Sequence, residues 1–206
     1  MNRSFRLPCL LLAGLLLLAG CATTTRPVAL FDLGPLHPVT HAVPGAALAL
    51  PPLSIATATS SPFLDSPRMV YRLAYANDQQ PHQYAESSWT MAPAPMLEQR
   101  LKARLGQVGN PVVAGSDGAI NVPLVRLDTD EFVQVFSSPT QSDARVTVRV
   151  AVFNGRILLA QKTFTQQRPA ASADAAGGAR ALADASDALI TELVGWLATL
   201  PLPPKK

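Results

Sequence analysis

The sequence predicts an α+β protein: one small domain, mostly antiparallel sheet with two main helices packed on one face, preceded by a lipoprotein signal peptide. Three observations carry this. Val146, Val148, Val150 and Val152 alternate with Thr147, Arg149, Ala151 and Phe153, the period-2 pattern of a strand with one apolar face. Asn154-Gly155 follows at once, a strong hairpin signal because a type I′ turn needs positive φ at both central residues. Leucine-rich stripes at helical spacing lie before and after this hairpin.

In chain order, residues 1–20 read as a secretion signal. Arg3 and Arg6 supply a positive start with no acidic residue before Asp32, and Leu10 to Leu18 form an apolar run too short for a permanent span. The run closes in Leu18-Ala19-Gly20-Cys21, which matches the lipobox of bacterial lipoproteins. Small residues at 19 and 20 let the backbone enter a narrow protease cleft. The Cys21 thiol accepts a diacylglyceryl group before cleavage, and its freed amine can then be acylated. An ordinary signal peptide with an incidental cysteine would not explain why all three parts coincide. Two or three acyl chains make a stable membrane anchor, whereas one is marginal. Ala22 stands where an Asp would retain the protein at the inner membrane, so the sorting pattern favours the outer membrane.

Residues 21–29 are then a lipidated tether, 30–200 the domain, and 201–206 a Pro-rich tail. Leu30 to Leu33 reads as a short strand closed by Gly34-Pro35, with a loop holding His37 and His41 after it. Ala46 to Leu53 reads as a buried strand bounded by prolines, and 56–68 as loop. Arg68 to Tyr75 alternates as a strand, and Asn77 to His82 reads as a polar turn. After Pro93 and Pro95, Leu97, Leu101, Leu105 and Val108 mark a helix, with Glu98, Arg100, Lys102 and Arg104 in its other positions. Gly106, Gly109 and Asn110-Pro111 end it.

Asn121 to Leu127 and Glu131 to Phe136 read as one long strand bent near Asp128-Thr129-Asp130, turning at Ser137 to Thr140 into the valine strand. Arg156 to Phe164 returns. Residues 167–179, rich in Ala, Ser and Gly, read as a mobile loop. A last helix over 178–199 carries Leu182, Ala185, Leu189, Leu193, Trp196 and Leu200 as one stripe.

Composition excludes several chemistries. Cys9 lies in the signal and Cys21 carries lipid, so the mature chain has no thiol for catalysis, metal binding or a disulfide. Removing Arg3 and Arg6 takes the net charge from +3 to +1, leaving no basic stripe for nucleic acid. His37 and His41 are four apart, but Pro35, Pro38 and Pro44 forbid the helix that would make them metal ligands. Asp128, Asp130 and Glu131 read as a solvated turn rather than a cation loop. No nucleophile elbow, zinc-protease motif or phosphate loop occurs. No catalytic residue, cofactor or metal is therefore expected. Tyr71, Tyr84, Trp89, Phe132 and Phe136 are candidate partner-binding residues, since aromatic anchors dominate contact energies. Core packing is the alternative for each.

These motifs together resemble the ABC-type transport auxiliary lipoprotein family. Phe31-Asp32-Leu33 comes first, then Pro62-Phe63-Leu64-Asp65 and Met69-Val70-Tyr71-Arg72. The Tyr84 to Trp89 segment leads into the Leu97/Leu101 helix, Phe132 to Phe136 precedes the valine hairpin, and an Ala-rich helix contains Trp196. The resemblance covers roughly residues 28–198 and rests on order and spacing with the lipobox. It implies an outer-membrane-anchored periplasmic lipoprotein without catalytic residues. Such a protein docks a mammalian-cell-entry (MCE) protein and its inner-membrane ABC transporter, which move lipids or other hydrophobic molecules. Some members oligomerise, so a homo-oligomer is a further implication. The competing readings are an envelope-assembly or regulatory lipoprotein, such as a wall-synthase activator, and a lipid carrier with its own cavity.

Overall fold

A computed structural model describes residues 27–38, 50–117 and 122–202. The signal, Cys21, His41, most of the Ala46–Leu53 segment and the end of the tail lie outside the described residues. Among the described residues nine strands form one sheet. In chain order they are β1 (Ala29–Phe31), β2 (Leu53–Ile55), β3 (Thr59–Ser60), β4 (Arg68–Leu73), β5 (Asn77–Trp89), β6 (Val112–Ala114), β7 (Leu124–Ser138), β8 (Gln141–Asn154) and β9 (Ile157–Pro169). Helix α1 (Pro93–Gln107) follows β5 and helix α2 (Ala175–Thr199) follows β9.

Strand β7 is the spine. Along one edge it carries β8 for nearly its whole length, from Leu124 opposite Phe153 to Ser138 opposite Gln141, and β8 in turn carries β9. Along the other edge three short strands lie parallel to it in succession. Ser54-Ile55 sits beside Leu124-Val125, Thr59-Ser60 beside Asp128-Thr129, and Tyr71–Leu73 beside Gln134–Phe136. The long ladders are antiparallel and the short ones parallel. The expected bend falls where the β7–β8 register shifts, between Thr129 and Glu131, as an extra residue on one strand kinks and twists it.

The valine alternation decides which face is inside. Val146, Val148, Val150 and Val152 are fully buried, and α2 lays Leu182, Ala185, Leu189 and Leu193 on that face. Trp196, on the same stripe, is half-buried and packs edge-on against Phe164 of β9 at 5.4 Å. Helix α1 contributes Leu97, Leu101 and Leu105 to the same core. Side chains thus fill the space between sheet and helices.

Four expectations are corrected. Asn77–His82 is not a turn but the first half of β5. The turn is tighter and earlier, closed by the Ala76 amide donating to Leu73 O, and polar residues on an exposed strand give no apolar alternation to read. The β8–β9 loop is Gly155-Arg156, one residue later than expected, with Gly155 at φ +58° and Asn154 paired to Ile157. The loop expected over 167–179 shrinks to 170–174: β9 runs to Pro169 and α2 starts at Ala175. Arg100 and Arg104 do not share the outer side of α1 with Lys102; both are buried.

The α2 start explains the misread glycines. Asp174 is the N-cap, its carboxylate accepting from the Gly177 amide at 2.7 Å. A Cβ on Gly177 would lie 2.2 Å from Ser172 O, and one on Gly178 would lie 2.0 Å from Gln134 Oε1. Both positions need glycine because the first turn of α2 approaches its surroundings too closely for a side chain.

Candidate functional site: an aromatic cluster at one end of the sheet

Where β4, β5 and β7 meet, four rings gather. Tyr71 stacks on His82 at 5.2 Å, tilts against Tyr84 at 4.6 Å and meets the edge of Phe136 at 5.7 Å. Register brings them together, since Tyr71 pairs with His82 on β5 and with Gln134 on β7. Tyr71, His82 and Tyr84 are half-buried, while Phe136 belongs to the buried set.

A polar chain runs beneath the rings. The Tyr84 hydroxyl donates to Gln134 Oε1 at 3.0 Å. The Gln134 amide donates to Ser142 Oγ at 2.8 Å and to Asp174 O at 3.2 Å. The cluster is thereby tied to β8 and to the cap of α2. Burial, then the neighbouring Tyr71 and Asp174, hold the Tyr84 phenol well above its ordinary pKa, so it remains a donor. The Asp174 carboxyl is held below the usual carboxylate range, first by the Gly177 amide and then by the Ser172 hydroxyl.

The five aromatic candidates divide. Tyr71 and Tyr84 sit in the partly open cluster, with Phe136 behind them. Trp89 and Phe132 do not join it: they pack edge-on at 5.3 Å inside the core, each under 3% exposed, and cannot touch a partner. The reason is register, because β5 ends with Trp89 against Phe132, which the far side of the β7 bend turns inward. His82, expected in a turn, is instead a member of the cluster.

The acidic turn is neutralised by the neighbouring strand. Arg149 reaches Asp128 at 2.6 Å and Asp130 at 3.4 Å, and Glu131 accepts from Thr147 at 2.9 Å. Among the described residues no group of three or more His, Cys, Asp or Glu could hold a metal ion.

Two features escaped the sequence reading. One is an arginine clamp: Arg100 forms a bidentate pair with Asp187 of α2 at 2.6 and 2.8 Å and donates to Gly34 O at 2.7 Å. Arg104 donates to His37 O at 2.9 Å. The clamp holds the segment after β1 against both helices. The other is an exposed apolar run, Ile157-Leu158-Leu159, at the start of β9. Its signal was present, since three consecutive apolar residues after a turn cannot all face one side of a strand.

The model of the ABC-type transport auxiliary lipoprotein component matches residues 31–194. The chain belongs to this family. Among solved structures, it is similar to a Xanthomonas campestris protein of a domain-of-unknown-function family. That match has 23% identity and a TM-score of 0.63, over 82% of this chain and 91% of the other. A second, an uncharacterized protein, has 12% identity and a TM-score of 0.65 over 83% and 99%. These likenesses show the shared fold. The curated proteins give no match. Among the described residues of this transport auxiliary lipoprotein, no helix is long and apolar enough to cross a membrane.

Proposed function

We propose that this lipoprotein is a non-enzymatic docking component of an MCE-type ABC system that transports lipids or hydrophobic solutes. Its Cys21 carries the lipid anchor in the inner leaflet of the outer membrane, and the domain faces the periplasm. The observation that carries the reading is the family match over 31–194 lying directly behind the Leu18–Cys21 lipobox. Ala22 supports the outer membrane. The filled core supports docking over carriage of lipid in an internal cavity. Tyr71 and Tyr84, backed by the buried Phe136, are a candidate contact surface, as half-buried rings offer large area at small entropic cost.

Crosslinking the native lipoprotein in intact cells, followed by purification and mass spectrometry, tests the reading. An MCE-domain protein and transporter subunits are expected in the adduct. Wall synthases without any MCE protein would overturn it. Cys21→Ser should release the domain from the membrane fraction and remove the acyl mass.

A further inference from the structure

We infer that the outer edge of β9, led by Ile157-Leu158-Leu159, is a docking edge that takes up an extended strand of another protein. The inference rests on the docking role proposed above and gives it a surface.

The edge is unusual in three ways. β9 has 13 residues, about 43 Å, whereas strands usually run five or six residues. Among the described residues β8 is its only strand partner, so its other row of amides and carbonyls is open. Its charged side chains stand on the helix-facing side or at the far end: Lys162 pairs with Glu192 of α2 at 3.1 Å, and Arg168 and Pro169 close the strand. Gln161, Thr163, Thr165 and Gln167, on the face away from the helices, are exposed, uncharged and include two β-formers. At the tip, Ile157, Leu158 and Leu159 are 68%, 50% and 40% exposed. A long edge of this composition pairs with another strand, by design or by aggregation.

Three possible occupants can be weighed. The first is the bilayer holding the anchor. β1 runs parallel to β5 and, through β4, antiparallel to β7, so the chain enters β1 from the end where β7 turns into β8. The Gly155-Arg156 tip lies at the opposite end, about 28 Å along the strands and five strand spacings, about 24 Å, across the sheet from β1. Residues 21–27 could span at most about 25 Å, less than the separation of β1 from the tip, so a domain standing upright on that tether would hold the tip off the bilayer, and lipid at the tip is an outcome of the test below.

The second is another copy of the chain. Two β9 edges paired about a two-fold through Thr163 would set Ile157–Leu159 against Gln167–Pro169, leaving the apolar tip unmatched. The other free edges among the described residues, β1 and β6, have three residues each.

A strand from a different protein remains, and the tip gives its chemistry. Arg156 is exposed in the turn, and Arg126 lies over the Phe153 ring at 4.9 Å beside Leu158. An apolar strand ending in a carboxylate would cover the three aliphatic residues and meet these cations.

The test places a photoreactive benzoylphenylalanine in the full-length lipoprotein at Leu158, and separately at the exposed Phe63 and Tyr75, in cells expressing the transport system. The expected result is an adduct with the MCE-domain partner from position 158 alone. The partner captured from 63 or 75 but not from 158 would leave the docking role standing and refute the β9 edge. No partner adduct from any position would refute the docking role and this inference with it. Position 158 joined to a second copy or to lipid would also overturn the inference. As a companion, Leu158→Asp should keep the melting temperature within about 2 °C of wild type, being an exposed change. It should weaken partner capture about tenfold or more. Loss of capture with a matching loss of melting temperature would mean that Leu158 is packing, and would count against the edge.

Discussion

The Tyr84 hydroxyl and the Gln134 side-chain oxygen, 50 residues apart in sequence, sit 3.0 Å from each other beneath the aromatic cluster. Gln134 is 1% exposed, so this contact satisfies a buried acceptor while the Tyr84 ring supports Tyr71. Tyr84→Phe keeps the ring and removes the donor. We expect a loss of about 1–2 kcal/mol at neutral pH, read by urea unfolding, because the oxygen is left unpaired in a dry site. The phenol's raised pKa means the folded state favours the protonated form. That contribution is complete below the ordinary value of 10.0 and is lost as pH rises past it, so the wild-type advantage should shrink above pH 10.

A second expectation comes from two glycines in one helix. Gly195 has nothing within 4 Å of a built Cβ, whereas a Cβ on Gly178 would collide with the Gln134 amide at 2.0 Å. Gly195→Ala should stabilise by about 0.5–1 kcal/mol through helix propensity. Gly178→Ala should destabilise by about 1–3 kcal/mol, because Gln134 is held by Tyr84 and Ser142 and has nowhere to move. Thermal melts of both variants check it; equal gains would mean that α2 does not press on Gln134.

Opposite legibility in sequence explains these sites. Period-2 valines and period-3.6 leucines report burial of a single face, so β8, α1 and α2 could be read as elements with one apolar side. The bend in β7 was legible because two acidic residues interrupt a β-rich stretch. The first half of β5 was not, since Asn77–Pro81 are exposed on both faces and carry no apolar period. Gly177 and Gly178 suggest a loop until Gln134 and Ser172 are seen to occupy the space a side chain would need. Arg100 and Arg104 look like solvated helix positions because only the fold supplies Asp187 and the carbonyls of Gly34 and His37. Of the candidate contact surface, residue types were legible but side was not: Tyr71 and Tyr84 emerged in the cluster, and Trp89 and Phe132 went to the core.

The Asp174 cap gives a prediction with a pH signature. Its carboxyl is depressed below the ordinary 3.8 by the Gly177 amide and the Ser172 hydroxyl. A depressed carboxylate contributes stability that is present above the unfolded-state value and fades as pH falls through the folded-state one. Asp174→Ala should therefore cost about 1 kcal/mol at pH 7, the usual value of an N-cap, and the gap to wild type should close as pH drops below 3.8. A gap that persists in acid would assign the effect to packing.

The arginine clamp makes the segment after β1 dependent on the helices. Arg100 is 7% exposed and Asp187 18%, so the pair is largely out of water, and Arg100 also satisfies the Gly34 carbonyl. Removing one partner leaves a charge without compensation, which costs about 3–5 kcal/mol in buried pairs. Arg100→Met should show a loss of that order. Asp187→Asn keeps two acceptor or donor atoms and should lose less. In Arg100→Met, hydrogen exchange should rise first across residues 33–38, because the Gly34 and Pro35 carbonyls lose their donor while the β7–β8–β9 ladder is untouched. If exchange instead rises evenly over sheet and segment, the arginine supports the whole core and not the segment after β1.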